Sequence, residues 1–476
     1  MGLVSEKNLK FMKINSFKAS GVQGYLNYNI NFFDELTFLI GINGSGKTTA
    51  LKLLLGLLSP SYEYLNSITF TKVELICSSD GNQNDILISA ISNEDNNNFR
   101  LSLKIKDQPE VASSIHRSPT VADDSFDDDL TIAEKSRNEK FENLKVTQAI
   151  RALVTPKFLG LDRRVYEGRT IDNRIRHRRM AVHSGMPNPL KNKAGAIALD
   201  SSLRDVQYLV FDYFRKIASR QPEIGNEFKR KIFSLSFNFI EDYNITQIPT
   251  DDSKVREKKE KVLQAVKDLD LGYLTTQANL FFDKMIKVVA DNNNLKEKLK
   301  SANDDIKKNL EEEKFKILTK WFNNSSQLKR IDEIIDGSQV YQNSLASLRE
   351  PVRRFEQIIT KFFSEGNKTI KIENAGEIVV KLANGKTASV FELSSGEKQI
   401  IIMIAHLVFS EDSVSGGIFI IDEPELSLHI AWQEVFVDSI LEASPDTQFI
   451  LATHSPSIIA KLSREKFCQD ISKSNQ

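Results

Sequence analysis

The sequence predicts an α/β protein whose two lobes are separated along the chain by a helical insert, and three observations carry this. First, LTFLIGINGSGKTTALKLLLGLL runs from a strand-like segment through a glycine-rich turn into an apolar stretch at helical spacing. Second, from about 199 to 365 the texture is helical and dense in Lys and Glu. Third, strand texture returns at 368, and two apolar strands, GGIFII and QFILA, end in polar residues. The expected divisions are 1–160 for the first lobe, 161–198 for a basic loop, 199–365 for the helical and short coiled-coil insert, and 366–476 for the second lobe.

Within the first lobe, LKFMKINSF, GYLNYNINF and LTFLIG are rich in aromatic and branched residues, as strands are. SITFTKVELIC, NDILISAIS and FRLSLKIK alternate apolar with polar side chains, which predicts an antiparallel sheet with one wet face. From about 107 to 138 the chain turns polar, with DDSFDDD at 123–129 and no apolar period, and a mobile loop is expected. LVTPKFLGLDRR reads as a further strand and turn. Residues 163–193 then carry nine Lys/Arg against Glu167 and Asp172, a local net charge of +7. In the insert, KVREKKEKVLQAVKDLDL and NNLKEKLKSANDDIKKNLEEEKFKILTKWF predict paired helices or a short coiled-coil arm. DNNN (291–294) and NNSS (323–326) are expected to interrupt any long heptad run, which favours an arm over a rod.

Composition excludes several classes. The 476 residues carry 64 Lys+Arg and 64 Asp+Glu, so a uniformly basic nucleic-acid binder is excluded and attraction to a polyanion must be local. The longest apolar runs fall below the roughly 18 to 20 residues that span a bilayer, so no membrane partner is expected. The N-terminus shows no signal-peptide pattern, and two cysteines, Cys77 and Cys468, cannot build a disulfide scaffold or a cysteine zinc site. A cytoplasmic location is the resulting expectation.

Gly41, Ile42, Asn43, Gly44, Ser45, Gly46, Lys47 and Thr48 satisfy G-x-x-x-x-G-K-[ST] between a strand and a helix, the context in which such a loop wraps phosphates. Its N–H groups surround the anion, Lys47 reaches the β/γ oxygens, and the Thr48 hydroxyl can ligate Mg2+. GGIFII ends in Asp422 and Glu423, two carboxylates at the carboxyl edge of a buried strand. Asp422 can hold the Mg2+ shell while Glu423 activates water. LSSGEKQ opens an apolar helix; Ser394, Ser395 and Gly396 can offer donors to an anion, and Ser394 with Glu397 equally forms a capping box. His454 closes the strand QFILATHS, either as a γ-phosphate donor or as an ordinary strand-end residue.

The order of these motifs, ending in PELSLH and Thr-His-Ser, resembles the ATP-binding-cassette ATPases, within them the SMC, Rad50, RecF and overcoming-lysogenization-defect branch with its split heads. The resemblance implies a P-loop NTPase of that head type. It implies ATP and Mg2+ as cofactors, with Gly41, Asn43, Gly44, Ser45, Gly46, Lys47, Thr48 and Thr49 contacting nucleotide and Thr48 and Asp422 holding the metal. Glu423 becomes the catalytic base and His454 the switch histidine. Ser394, Ser395, Gly396 and Glu397 become the signature offered across an ATP-sandwich homodimer or higher oligomer, with Ser427 in the dimer-facing loop. Arg163 and Arg164 are candidate phosphate sensors, and the Q-loop glutamine has no clear counterpart. A head with only 22 residues after His454 has no room for a Toprim nuclease, and it looks most like the ATPases of the Septu antiphage family, which act with a separate HNH nuclease, PtuB.

Three functions compete on this reading: a regulatory ATPase of a defence nuclease complex, a RecF/SMC-like repair or recombination ATPase, and a cassette coupled to a transporter. The long charged insert disfavours the last. No nuclease activity is expected of the chain itself, because its convincing metal-bearing acids are committed to ATP. Residues 163–193 are a solvated loop, a DNA contact or a partner-docking segment. His177 and His183 lie there without further metal ligands at suitable spacing.

Overall fold

The computed structural model describes residues 12–79, 82–118, 136–153, 156–159, 165–167, 194–235, 237, 248–301, 304–410, 417–459 and 462–472. It divides the chain into two compact units, Met1–Phe214 with Val352–Gln476, and Arg215–Pro351. The first unit opens with β1 (Met12–Val22), β2 (Leu26–Asn31), β3 (Leu36–Ile40), α1 (Lys47–Leu58), α2 (Tyr62–Ser67), β4 (Lys72–Ser79), β5 (Asn82–Ser92), β6 (Asn98–Ile105) and β7 (Val111–His116). Then come α3 (Lys145–Arg151), β8 (Lys157–Leu159) and β9 (Val165–Glu167). Six of these strands form a wholly antiparallel sheet in the order β2-β1-β4-β5-β6-β7. Its alternation is the predicted one: Val73, Leu75 and Cys77 of β4 are buried while their neighbours are partly exposed. A register shift between Ile14 and Ser16 lets β1 keep Met12 and Ile14, then Phe17 and Ala19, on the buried face.

The expected polar loop at 107–138 is corrected in part. VASSIH forms the edge strand β7, paired with β6 from Leu103↔Val111 to Asn98↔His116. Only Ile115 is fully buried there, so hydrophobic alternation is too weak to announce the strand; the pairing comes from the open edge of β6. Arg117 anchors the end of β7 by donating to the carbonyls of Leu65, Asn66 and Ile68 while stacking on Phe70 and Phe99. The acidic run 123–129 lies outside the described residues.

Four helices come next: α4 (Ala194–Leu235), α5 (Ser253–Asp268), α6 (Thr275–Ser301) and α7 (Asp304–Phe363). The second unit is built from the C-terminal part of α4, all of α5 and α6, and α7 as far as Pro351, around Val255, Phe282, Met285, Val289, Ile317, Trp321 and Leu328. The Asn-rich segments do not break the helices: α6 runs through DNNN at 291–294 and α7 through NNSS at 323–326. Some polar side chains there find carbonyl partners without breaking the helix, while Asn292 Nδ2 is buried without one among the described residues. Asn293 donates to the Thr250 carbonyl, Asn324 to the Lys320 carbonyl and Ser325 to the Phe322 carbonyl.

The first unit resumes with β10 (Thr369–Ile372), β11 (Ile378–Lys381) and β12 (Thr387–Ser389), a small antiparallel sheet. After it come α8 (Ser395–Phe409), β13 (Ile418–Asp422), α9 (Ile430–Ala443), β14 (Gln448–Ala452), α10 (Pro456–Ile459) and β15 (Cys468–Asp470). A second six-stranded sheet has the order β15-β3-β14-β13-β8-β9, parallel except for β9. Both its faces are covered, which is why β13 and β14 are buried at every position and mostly apolar. Ile418, Ile420 and Ile450 pack toward α1 and the antiparallel sheet, whereas Phe419, Ile421, Phe449 and Leu451 pack toward α8, α9 and the unit's share of α4 and α7. Leu203, Val206 and Val210 of α4 and Phe355, Ile359 and Phe362 of α7 belong to that second core, so the compact helical unit is shorter than the helical texture of 199–365. Among the described residues, no helix is long and apolar enough to cross a membrane.

Candidate nucleotide site

The site sits at the carboxyl edge of the parallel sheet, where β14 separates β3 from β13. β3 ends at Ile40, and the chain then turns through Gly41 to Gly46 into α1. Gly46 caps the helix with φ 87°, and a Cβ there would collide with the Tyr28 hydroxyl, which donates to the Gly46 carbonyl at 3.0 Å. The antiparallel sheet thus braces the loop through β2, a role the sequence did not announce. Asn43 and Gly44 are exposed, Thr49 is half-buried, and the Ser45 hydroxyl is buried with no hydrogen-bond partner among the described residues.

Lys47 is 5% exposed, and its ammonium is folded back on its own loop. Nζ donates to the carbonyls of Gly41 at 2.9 Å and Ile42 at 3.3 Å and lies 3.3 Å from His454 Nδ1. Burial pulls its pKa below the ordinary lysine value, against the opposing pull of the carboxylates of Glu423, Asp422 and Glu425. Carbonyl oxygens are weak partners for an ammonium compared with phosphate oxygens, so the side chain is held where an anion would draw it outward.

Thr48 Oγ1 donates to Asp422 Oδ2 at 3.0 Å, joining residues 374 positions apart. Asp422 is 4% exposed, and its Oδ1 is buried without a hydrogen-bond partner among the described residues. Burial raises its pKa above the usual carboxylate value; the Thr48 hydrogen bond opposes this and the neighbouring Glu423 charge adds to it. A hydroxyl and a carboxylate with one oxygen left over form a hard-oxygen donor set, and that set fits Mg2+. Asp422 and Thr48 would hold the ion, leaving its remaining positions to water and phosphate.

Glu423 comes next with φ 48° and ψ 61°, a left-handed conformation rare outside glycine, and its N–H donates to the Ala452 carbonyl at 2.9 Å. Glu423 Oε1 comes within 3.9 Å of His454 Nε2. The two ring nitrogens of His454 therefore face Lys47 on one side and Glu423 on the other. Glu425, two residues on, accepts from Thr453 Oγ1, His454 N and Ser455 N, a cluster signalled along the chain only by one more acid in PELSLH.

Ser394, Ser395, Gly396 and Glu397 stand apart from this cluster in their bonding. Ser394 is the N-cap of α8 and forms the capping box: its Oγ accepts from Glu397 N, and Glu397 Oε2 accepts from Ser394 N at 2.9 Å. Lys368 Nζ donates to Glu397 Oε1 at 2.8 Å. Although burial pushes the Glu397 carboxyl upward, the bonds from Lys368 and Ser394 leave its pKa below the ordinary value. Ser394 and Ser395 are exposed. Arg163, Arg164, His177 and His183 lie outside the described residues, as does the stretch 163–193 apart from β9. The side chain of Ser427 lies outside them too.

A strand, a phosphate-wrapping loop and a helix, with an acid from a second parallel strand hydrogen-bonded to the loop threonine, define a P-loop NTPase, here with a helical insert between its two sequence segments. Residues 36–460 match the family described as "AAA domain, putative AbiEii toxin, Type IV TA system", and the chain belongs to that family. It is 30% identical over 178 residues to the "Retron Vc95 probable ATPase" of Vibrio cholerae serotype O1 biovar El Tor, covering 35% of this chain and 34% of that protein. It is 30% identical over 137 residues to the "Retron Ec83 probable ATPase" of Escherichia coli, covering 25% of each. The similarity thus spans about a third and a quarter of those relatives' lengths. Solved structures with overall similarity include the Smc head domain with an extended coiled coil bound to the C-terminal domain of ScpA from Pyrococcus furiosus, at 15% identity and TM-score 0.36 over 94% of this chain and 92% of that one. The Smc head domain with a coiled coil and joint from Pyrococcus yayanosii matches at 13% identity and TM-score 0.34 over 94% and 93%.

Proposed function

We propose that the chain binds MgATP on residues 41–49 and hydrolyses it, and that this cycle controls a separate HNH-type nuclease acting on DNA in a bacterial antiphage system of the Septu kind. The observation that carries the ATPase reading is the Thr48–Asp422 pair with its spare buried oxygen, beside an ammonium held by two loop carbonyls and the His454 ring. In this reading Lys47 leaves the carbonyls of Gly41 and Ile42 for the β/γ-phosphate oxygens. Glu423 accepts a proton from the attacking water, and His454 donates to the γ-phosphate. Mg2+, when bound, neutralises charge developing on the phosphates.

Two heads enclose two nucleotides, with Ser394–Glu397 of each presented to the other's phosphates; the exposed Ser394 and Ser395 support this. The retron names of the partial relatives and the toxin wording of the family description support a defence setting over a housekeeping one. The nuclease is another chain, DNA approaches through 163–193, and the complex works in the cytoplasm. The test is to measure ATP turnover by the purified chain, then plasmid cleavage with and without an HNH protein encoded beside it. Cleavage that needs both chains and changes with ATP supports the reading. Absence of turnover with Mg2+ at any nucleotide concentration, or cleavage by the chain alone that survives loss of Lys47, rejects it.

A further inference from the structure

The sheet ladder that fixes β14 ends one residue before His454. Glu423 N donates to the Ala452 carbonyl and Thr453 N to the Leu39 carbonyl, and beyond these, among the described residues, the main chain of His454 and Ser455 takes no partner from a strand. A side chain replaces the ladder. Glu425, from the turn Pro424–Ser427, accepts at Oε1 from His454 N at 2.7 Å, from Ser455 N at 3.1 Å and from Thr453 Oγ1 at 2.9 Å, while Oε2 is also 2.9 Å from Thr453 Oγ1. Ser455 is held a second time, its Oγ donating to Gln433 Oε1 at 2.6 Å, and Gln433 Nε2 donates to the Leu428 carbonyl at 2.9 Å.

We propose that Glu425 is a positioning residue for ATP hydrolysis: its carboxylate fixes the 453–455 turn and so sets His454 between Lys47 and Glu423. The inference rests on the reading of His454 as a group that touches the γ-phosphate. Geometry favours this role over simple anchoring. Three donors from three successive residues converge on one carboxylate, and the middle one is the main chain of the residue whose ring spans the site. Among the described residues no ion pair engages Glu425, and its hydrogen bonds go to those donors. The turn that carries Glu425 begins immediately after Glu423, so the base and the histidine are held to one frame. A ring displaced by about 1 Å misses its partner, and losses of roughly 100-fold are typical of such displacements.

The experiment is a double-mutant cycle on turnover and nucleotide affinity, using the full chain. Glu425→Ala is expected to lower kcat by about 10- to 100-fold with the Kd for a non-hydrolysable ATP analogue within about twofold of the parent. Glu425→Gln keeps the volume and one acceptor oxygen, so it should fall between the two and stands in if the alanine variant does not fold. The pairing with His454→Ala decides the mechanism. If Glu425 acts through His454, the double variant is no slower than His454→Ala alone. Amide hydrogen exchange in nucleotide-free protein gives a readout apart from turnover: His454 and Ser455 should lose protection in Glu425→Ala while the amides of β14 keep theirs. Multiplicative kcat losses, or normal kcat in Glu425→Ala beside a crippled His454→Ala, overturn the positioning role and leave the site reading intact. Normal kcat in His454→Ala overturns the site reading of that histidine and this proposal together.

Discussion

Two helix N-termini in the same unit treat their polar groups in opposite ways. At α1 the loop leaves hydrogen-bonding capacity unused: among the described residues Ser45 Oγ and Asp422 Oδ1 are buried without partners, and Lys47 settles for two main-chain carbonyls and the His454 ring. At α8 the same kind of terminus closes on itself, with Ser394 and Glu397 exchanging bonds and Lys368 completing the carboxylate. A buried polar atom without a partner costs about 1–3 kcal/mol, so the first terminus is held ready for a ligand at the expense of stability. The second is stable alone, and what it can offer another molecule is the exposed outer side of Ser394 and Ser395. The difference separates a terminus with donors and acceptors left over from one that has already satisfied its own.

The largest effect expected from breaking the contrast is on chemistry at the first terminus. Glu423→Gln should retain ATP and Mg2+ while kcat falls by about 100- to 10,000-fold, since an amide accepts no proton from water. Single-turnover and binding assays on the same preparation check this, and normal turnover removes Glu423 from the role of base. At the second terminus, Ser394→Arg should leave ATP affinity unchanged and cut turnover by about tenfold or more through a clash at the closed interface. Mixed with Lys47→Ala, it should regain activity, because one composite site per heterodimer is then intact; a mixture as inactive as its parts argues against catalysis across an interface.

A smaller effect is expected on binding alone. Lys47→Ala should weaken ATP binding by roughly 10- to 100-fold, the loss of charge-assisted bonds worth about 1.5–3 kcal/mol, and calorimetry reads this directly. Unchanged affinity would count against the whole site. The smallest effect sharpens the comparison through stability. Asp422→Asn should raise the thermal stability of the nucleotide-free protein by about 0.5–2 kcal/mol while abolishing Mg2+-dependent turnover, the exchange expected when a strained functional group is relieved. Its pH dependence has a definite sign. The carboxyl of Asp422 is raised in the fold, so its contribution to apo stability is fully present below the unfolded value and is lost as pH rises through the folded one. Mg2+ needs the ionised form, so metal-dependent binding should fail on acidification at a higher pH than for an ordinary carboxylate. Titration of MgATP affinity against pH, wild type beside Asp422→Asn, measures both.

Features whose forces act over a few residues were legible along the chain. The glycine loop, the start of α1, the Ser394–Glu397 box and the alternation in β4 depend on local backbone freedom, on bonds three residues apart or on side-chain period. Features that depend on distant partners took shape only in the folded molecule. β7 exists because β6 presented an open edge, and within the Asn-rich runs of α6 and α7 Asn293 and Asn324 find carbonyl partners that are settled only in the folded chain. Placing β14 between β3 and β13 sets Lys47 beside His454 across 407 residues and lets Glu425 finish the ladder that β14 leaves open. A pattern in the chain can announce that a carboxylate is present, but whether it meets a hydroxyl, an amide or nothing is fixed only when separate strands are hydrogen-bonded into one sheet.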